Sequence, residues 1–338
     1  MEKALPKVPG RFYSLDVIRG FAALSVVFWH WQHFFYDGTV RTGFESASQP
    51  LYEIFFLFYD KGWVAVDFFF SLSGFIFFWL YAKDISARNI SAGKFFVLRF
   101  SRLYPLHIAT FLFVALAQVF MRETTGGYFV YPENNIYHAI LNVFMASGWG
   151  MERGWSFNAP VWSVSIEVLL YAAFFAVCVF FRARLAVILA LAIIGMLLLE
   201  LHPPLGRGVF SFFVGGLVFR LYECIVKKNL VREIAWPLSA FVVTLWVGVI
   251  LEHMTGWISA TLSAVISVLP SGLHGLAGTV MKRLPLFIVI SVVLPATILA
   301  LALHETRRET LGRRVAFIGI SATPRIFCIS RCRSSLSR

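Results

Sequence analysis

Apolar stretches of about 20 residues recur along nearly the whole chain, and each is long enough to cross the hydrocarbon core of a bilayer. No other feature restricts the fold as strongly. In lipid every backbone N–H and C=O must be satisfied inside its own segment, so the stretches read as spanning helices. Spans are expected at about 14–36, 62–82, 102–121, 160–181, 185–201, 208–226, 234–252, 257–280 and 285–304. The fold class is therefore all-α, a polytopic membrane helix bundle of about nine spans. In the span 257–280, Pro270 and three glycines predict a broken or re-entrant helix. Only 14% of the 338 residues are charged, against roughly 25% in soluble domains.

The net charge of +12 invites a nucleic-acid reading, but the positions of the cations argue against it. Lys3, Lys7 and Arg11 precede the first span, and Lys83, Arg88, Lys94, Arg99 and Arg102 lie between the second and third. Arg182 and Arg184 follow the fourth, and Lys227, Lys228 and Arg232 follow the sixth. The alternate loops carry fewer: Arg41 and Lys61, then Arg122 and Arg153, then Arg207. This is the positive-inside pattern, which predicts a multi-pass protein with a cytoplasmic N-terminus. Its partner is the lipid bilayer, not nucleic acid. Arg307, Arg308, Arg313 and Arg314 break the pattern if all nine spans cross. Cys178 and Cys224 read as packing residues within spans, and no Cys/His spacing suggests a metal site. The long outer loop at about 122–159 contains "YPENNIYHAILNVFMASGW", which predicts a short helix at the surface.

Charged residues inside spans are expensive and usually face a protein interior or a cavity. Arg19 and His30 are eleven residues apart in the first span. At ~100° per residue they share one helix face, about 16 Å apart along the axis. Counting from the expected span ends, His30, Asp67 and Glu167 fall at one level in the outer half. Asp16, Arg19, Arg99 and Arg102 fall at a second level near the inner face. Each layer also has a plainer reading. Asp16 can simply pair with Arg19, Arg99 and Arg102 can snorkel to headgroups, and Asp67 and Glu167 can be polar groups of helix packing.

The outer layer has the parts of a general base. A histidine near pKa 6.5 accepts a hydroxyl proton at neutral pH, and a carboxylate, Asp67 or Glu167, can orient its ring. The inner arginines suit phosphates, which guanidinium groups grip in bidentate fashion. A long donor with a phosphate-bearing head at the cytoplasmic face and a flexible arm reaching inward fits both layers. Acyl-coenzyme A has that form, bound as a substrate and not as a permanent cofactor. The chemistry expected is O-acyl transfer, with His30 deprotonating a hydroxyl that attacks a thioester. The rival is a proton-coupled transporter of an anionic substrate or acyl carrier, with His30, Asp67 and Glu167 as its relay. Transporter halves tend to repeat with matching broken helices, and one candidate break near Pro270 has no matching partner.

Four stretches, in order, resemble the acyltransferase 3 family of bacterial membrane O-acyltransferases. "SLDVIRGFAALSVVFWH" is similar to its first-span motif, with Arg19 and His30 at the family spacing. "GWVAVDFFFSLSGFIFF" resembles its GVDxFFxLSGF motif, and "RFSRLYPLHI" its RxxR-LYP motif, with Arg99, Arg102, Tyr104 and Pro105. "PVWSVSIEVLLY" resembles its WSLxxExxFY motif, with Trp162, Ser163, Glu167 and Tyr171, although Leu170 and Val168 depart from it. The resemblance implies about ten spans, a bacterial cytoplasmic (inner) membrane, and transfer of an acyl group, most often acetyl. It implies that the acceptor is a glycan or lipid-linked glycan such as exopolysaccharide or O-antigen. It also implies that Arg19, His30, Arg99 and Arg102 are essential.

The family closes its domain with a pattern like G-x-I-S-Y-S-x-Y-L-x-H-x-P, whereas here "AFIG" runs into "ISATPRIFCISRCRSSLSR". Reading codons from the third base of the Gly319 codon permits D-I-S-Y-S-S-Y-L-L-H-F-P-L-Q, the missing pattern. The chain therefore reads as a membrane domain over 1–319 and an aberrant basic tail over 320–338, produced by a frameshift. The plainer reading is a basic, disordered tail. Sequencing the gene through the Gly319 codon is expected to reveal a lost or gained base, and an intact frame rejects the idea.

Overall fold

The structure, a computed structural model, describes residues 8–267, 278, 283–308, 311 and 313. The break expected near Pro270, the tail over 320–338 and the span count after residue 252 lie wholly or partly outside the described residues. Within them the chain is helical apart from one two-stranded ribbon. Helix α1 is Tyr13–His30 and tightens into a 3-10 turn at Trp31–Phe35. Strands β1 (Tyr36–Asp37) and β2 (Val40–Arg41) then pair antiparallel, Tyr36 opposite Arg41. Gly38 turns the ribbon with φ of +57°, a backbone region that glycine enters without a Cβ penalty.

Helices α2 (Tyr52–Lys61), α3 (Ala65–Leu80) and the short α4 (Ala82–Ser86) follow, and then α5 (Ala92–Thr125). The outer loop contains α6 (Ile136–Val143), the short surface helix expected there. Next come α7 (Trp162–Phe181), α8 (Leu185–Leu201), α9 (Pro203–Lys227), α10 (Val231–Thr255) and α11 (Trp257–Ser267). A π-helical turn at Val289–Val293 precedes α12 (Leu294–Arg308). Six helical runs are long and apolar enough to cross a membrane: Tyr52–Leu80, Ala92–Thr125, Ala159–Phe181, Pro203–Lys227, Val231–Thr255 and Arg283–Arg308. The apolar α8 is shorter, and α1 carries Asp16 and Arg19. The fold is that of a multi-pass helical membrane protein. The first of these runs begins ten residues before the expected Gly62, because α2 leads into α3 through a 3-10 turn at Gly62–Val64.

The chain divides into two compact units, Leu24–Leu217 and Met1–Ala23 with Val218–Arg338. In the second of these, Glu305 of α12 is fully buried and its Oε2 accepts from the Ser14 backbone N–H at 2.9 Å. Tyr222 Oη and Thr306 Oγ1 are 2.6 Å apart, and Phe12 packs edge-on against Tyr222. Trp246 Nε1 donates to Thr297 Oγ1 at 3.0 Å, which ties α10 to α12.

The core of the Leu24–Leu217 unit is aromatic. Phe75, Phe78, Phe174, Phe212 and Phe213 are all buried, and Phe77 lies flat on Tyr171 with ring centroids 4.9 Å apart. Beside this core α3 and α9 touch backbone to backbone. A Cβ on Gly215 would strike the Ser71 carbonyl, and one on Gly74 the Phe212 carbonyl. Small residues at such crossings let apolar helices pack closely where lipid tails offer no hydrophobic drive. Overpacking a close contact costs about 1–3 kcal/mol. Gly215→Val is therefore expected to lower the thermal unfolding midpoint in detergent by roughly 5 °C. Gly248→Val, where a Cβ meets open space, is the control and is expected to leave it in place.

Candidate active site

Asp67 is fully buried in the first turn of α3. Arg207, in the first two turns of α9, meets it with a bidentate grip. Its Nη2 donates to Oδ2 at 2.6 Å, and its Nε lies 3.1 Å from Oδ1. Nη2 also donates to the Trp63 carbonyl at 3.0 Å, and Ser211 Oγ reaches Oδ1 at 3.4 Å. The guanidinium carbon sits 4.7 Å from the Trp63 ring centroid and 5.3 Å from that of Trp162. Such pairing and stacking make a buried charge tolerable. Asp67, Ser71 and Gly74 share one face of α3, and Arg207, Ser211 and Gly215 one face of α9. The ion pair and the backbone contact therefore belong to the same crossing.

Sequence reasoning missed Arg207 by placing it in an outer loop. The helix begins at Pro203, where proline suits the first turn, and so takes Arg207 in with it. The Pro-Pro start followed closely by an arginine and a long apolar run was the available signal.

Glu167 of α7 accepts from Tyr171 Oη at 2.7 Å and from Ser73 Oγ at 3.4 Å. Ser73 is six residues beyond Asp67, about 9 Å along α3. The two carboxylates are thus not at the one level that counting from span ends gave. That arithmetic assumed that α3 and α7 start level, whereas Trp162 at the start of α7 packs on Phe70. Arg99 of α5 holds its guanidinium 4.7 Å from the ring centroids of both Phe77 and Tyr81 and 6.0 Å from Tyr171. A cation on aromatic faces is stabilised without giving up its N–H edge. Arg102 lies one turn on, on the same helix.

His30 ends α1. Its Nδ1 is buried and has no hydrogen-bond partner. Neither Asp67, held by Arg207, nor Glu167, held by Tyr171, orients the imidazole through that atom, in contrast to the expectation. The ring instead lies against His33, centroids 4.8 Å apart. His33 Nε2 is 3.3 Å from Tyr131 Oη. Burial, and then the nearby Tyr36, raise the Tyr131 phenol above its ordinary pKa, so it stays protonated at neutral pH. The outer half of α1 is seated by Gly62, where a Cβ would strike the Ser25 carbonyl and Trp29. In the other compact unit, Asp16 accepts from Arg11 Nε at 2.8 Å and from Arg19 Nη1 at 3.3 Å.

The family model for the acyltransferase domain Acyl_transf_3 matches residues 12–319. The chain belongs to this family. Acyltransferase MdmB of Streptomyces mycarofaciens is 34% identical to it over 170 residues, 48% of this chain and 38% of that protein. Protein 2 in the picA locus of Rhizobium radiobacter is 38% identical over 107 residues, 32% of this chain and 46% of that protein. The chain thus spans less than half the length of either relative. No solved structure matches. This acyltransferase-family member keeps its motif residues in the described helices, so the Asp67–Arg207 pair can be tested as structure. Asp67→Ala and Arg207→Ala each leave one uncompensated charge and are expected to cost roughly 3–5 kcal/mol. Asp67→Leu with Arg207→Met is expected to cost less than the sum, as read from denaturation midpoints in detergent.

Proposed function

We propose that the protein is a bacterial cytoplasmic-membrane O-acyltransferase that moves the acyl group of acyl-CoA, acetyl-CoA foremost, onto a hydroxyl of a cell-surface glycan. Membership of an acyltransferase family supports the reaction class. The observation that carries the residue assignment is His30, whose Nδ1 is buried without a partner. An unsatisfied buried polar atom costs about 1–3 kcal/mol. A histidine kept only for packing would be bonded or replaced by an apolar residue, and one kept for a substrate proton is left open.

In this reading His30 takes the proton of the acceptor hydroxyl as its oxygen attacks the thioester carbonyl. The tetrahedral species collapses with rupture of the C–S bond. The imidazolium returns its proton to the departing thiolate, and an ester and free CoA result. Positioning both substrates supplies much of the rate. Arg99 and Arg102 hold the anionic head of CoA, a task that suits side chains charged at every physiological pH. Arg99 in particular is braced by Phe77 and Tyr81. Asp67 and Glu167 act on the architecture of the site, through Arg207 and Tyr171.

The test is the ester content of the host glycan, by mass spectrometry, in a strain whose acylation depends on this gene. Loss of a general base lowers the rate by roughly 10²–10⁴-fold, so His30→Ala is expected to leave no measurable ester. Arg99→Gln is expected to raise the KM for acyl-CoA in membranes. Undiminished acylation by the His30 variant overturns the assignment.

A further inference from the structure

The outer loop frames a cleft of about 590 Å³ lined by Arg122, Tyr128, Asn134, Asn135, Ile136, Tyr137 and Arg153. That is the size of a small-ligand site. Its two cations are mounted alike. Arg122 lies 5.4 Å from the Tyr128 ring centroid and Arg153 5.0 Å from that of Tyr137. Arg122 Nη1 also donates to Tyr128 Oη at 2.9 Å. No carboxylate lines the cleft, and among the described residues neither arginine enters an ion pair. Of the acids in the loop, Glu133 accepts from Asn135 Nδ2 at 3.3 Å and Glu152 Oε1 lies 2.9 Å from His202 Nε2. Two guanidinium groups set against aromatic rings, with no ion pair among the described residues, form a fork for an oxyanion.

The wall of this cleft leads to His30. Tyr128 Oη donates to the Asn134 carbonyl at 3.2 Å, and Asn134 Nδ2 donates to the Tyr131 carbonyl at 2.7 Å. Tyr131 Oη stands 3.3 Å from His33 Nε2, and the His33 ring lies against His30. A chain of four short contacts thus joins the cationic cleft to the group assigned as the base.

We propose that this cleft is the acceptor subsite and that it takes an anionic glycan, with Arg122 and Arg153 gripping the negative group. The inference rests on the acyltransferase reading above and adds the substrate class. A uronate carboxylate and the diphosphate of a lipid-linked glycan present the same oxyanion chemistry to the two arginines. The exposed Ile136, Ile140 and Phe144 of α6 set the cleft beside an apolar surface suited to the membrane interface, where a growing or lipid-linked glycan is found.

The experiment measures equilibrium binding to the full chain in phosphatidylcholine nanodiscs at low salt, with trimannuronate, mannotriose and inorganic pyrophosphate as probes. Trimannuronate is expected to bind at least tenfold tighter than mannotriose. Arg122→Gln with Arg153→Gln is expected to abolish that preference, and the Lys/Lys pair to restore part of it. Pyrophosphate binding without trimannuronate binding, again dependent on the arginines, assigns the charge to a diphosphate and keeps the proposal. Equal binding of mannotriose, or anion binding unchanged in the Gln/Gln variant, overturns it. So does failure of both anions to bind, in particular if phosphatidylglycerol co-purifies in an arginine-dependent way, which gives the fork to lipid headgroups. His30→Ala separates the two levels, because it is expected to bind trimannuronate like the unaltered chain. Normal binding with unimpaired acylation in that variant removes the base and leaves the cleft. Arginine-independent binding with lost acylation removes the cleft and leaves the base.

Discussion

The buried pair Asp67–Arg207 is the constraint on which the Leu24–Leu217 unit is organised. A carboxylate with no exposure persists in an apolar bundle only if a cation meets it with good geometry, and a guanidinium does so bidentately. That requirement fixes the angle and register of α3 against α9. The glycines then allow the two backbones to close to contact around it. Alone, neither device would suffice. Small residues permit several registers of close approach, and an ion pair on long side chains tolerates several separations. Together they admit one arrangement, and it places Trp63 and Trp162 over the arginine. Such a pair adds little net stability compared with an apolar replacement, so its use here is to specify register.

From that crossing the remaining polar groups fall into separate neighbourhoods. Glu167 is committed to Tyr171, Tyr171 lies flat on Phe77, and Phe77 also meets the Arg99 guanidinium. The aromatic core thus does electrostatic work as well as packing. It accepts a cation on one side and, through a phenol, steadies an anion on the other. His30 stands outside these linkages, with its ring against the histidine three residues on. Its buried Nδ1, like that of His107, has no hydrogen-bond partner among the described residues, and an unsatisfied buried polar atom calls for an explanation such as a ligand.

Much of this was legible in the sequence, for physical reasons. Hydrocarbon thickness sets helix length, so α7, α8 and α10 coincide closely with the expected runs, while α5 starts ten residues and α9 five residues sooner. The motif residues Arg19, His30, Arg99 and Arg102 stand out because charges in apolar runs are costly. Depth was not legible. The count from Gly62 failed because the helical run that contains α3 starts at Tyr52, and no residue there announces where lipid begins. The partner of Asp67 was not legible either, since a helix that starts five residues sooner turns a loop arginine into a buried one. The outer loop was readable as a short helix but not as a cleft. Its two arginines are dispersed over thirty residues and meet only when the chain folds back from α5 to Arg153.

The same contrast separates groups fixed by helix packing from groups carried on the outer loop. Groups on α1, α3, α5, α7 and α9 are fixed by helix packing, where a displaced side chain disturbs a core of interlocked rings. Arg122 lies in the last turn of α5, and the other cleft residues lie on α6 and in a loop that is held to the core at a few points, among them Trp149 Nε1 on the Ser165 carbonyl and Gln118 on the Phe129 carbonyl. Residues between those points can alter without moving His30 or the Asp67–Arg207 crossing. On the proposed assignments, specificity would sit in a tethered loop and the base at the end of a packed helix, which separates what is recognised from what is done to it. The Tyr131–His33 contact is the one described link between them. A change at Tyr131 would therefore act on both, whereas changes at Arg122 or Arg153 act on recognition alone.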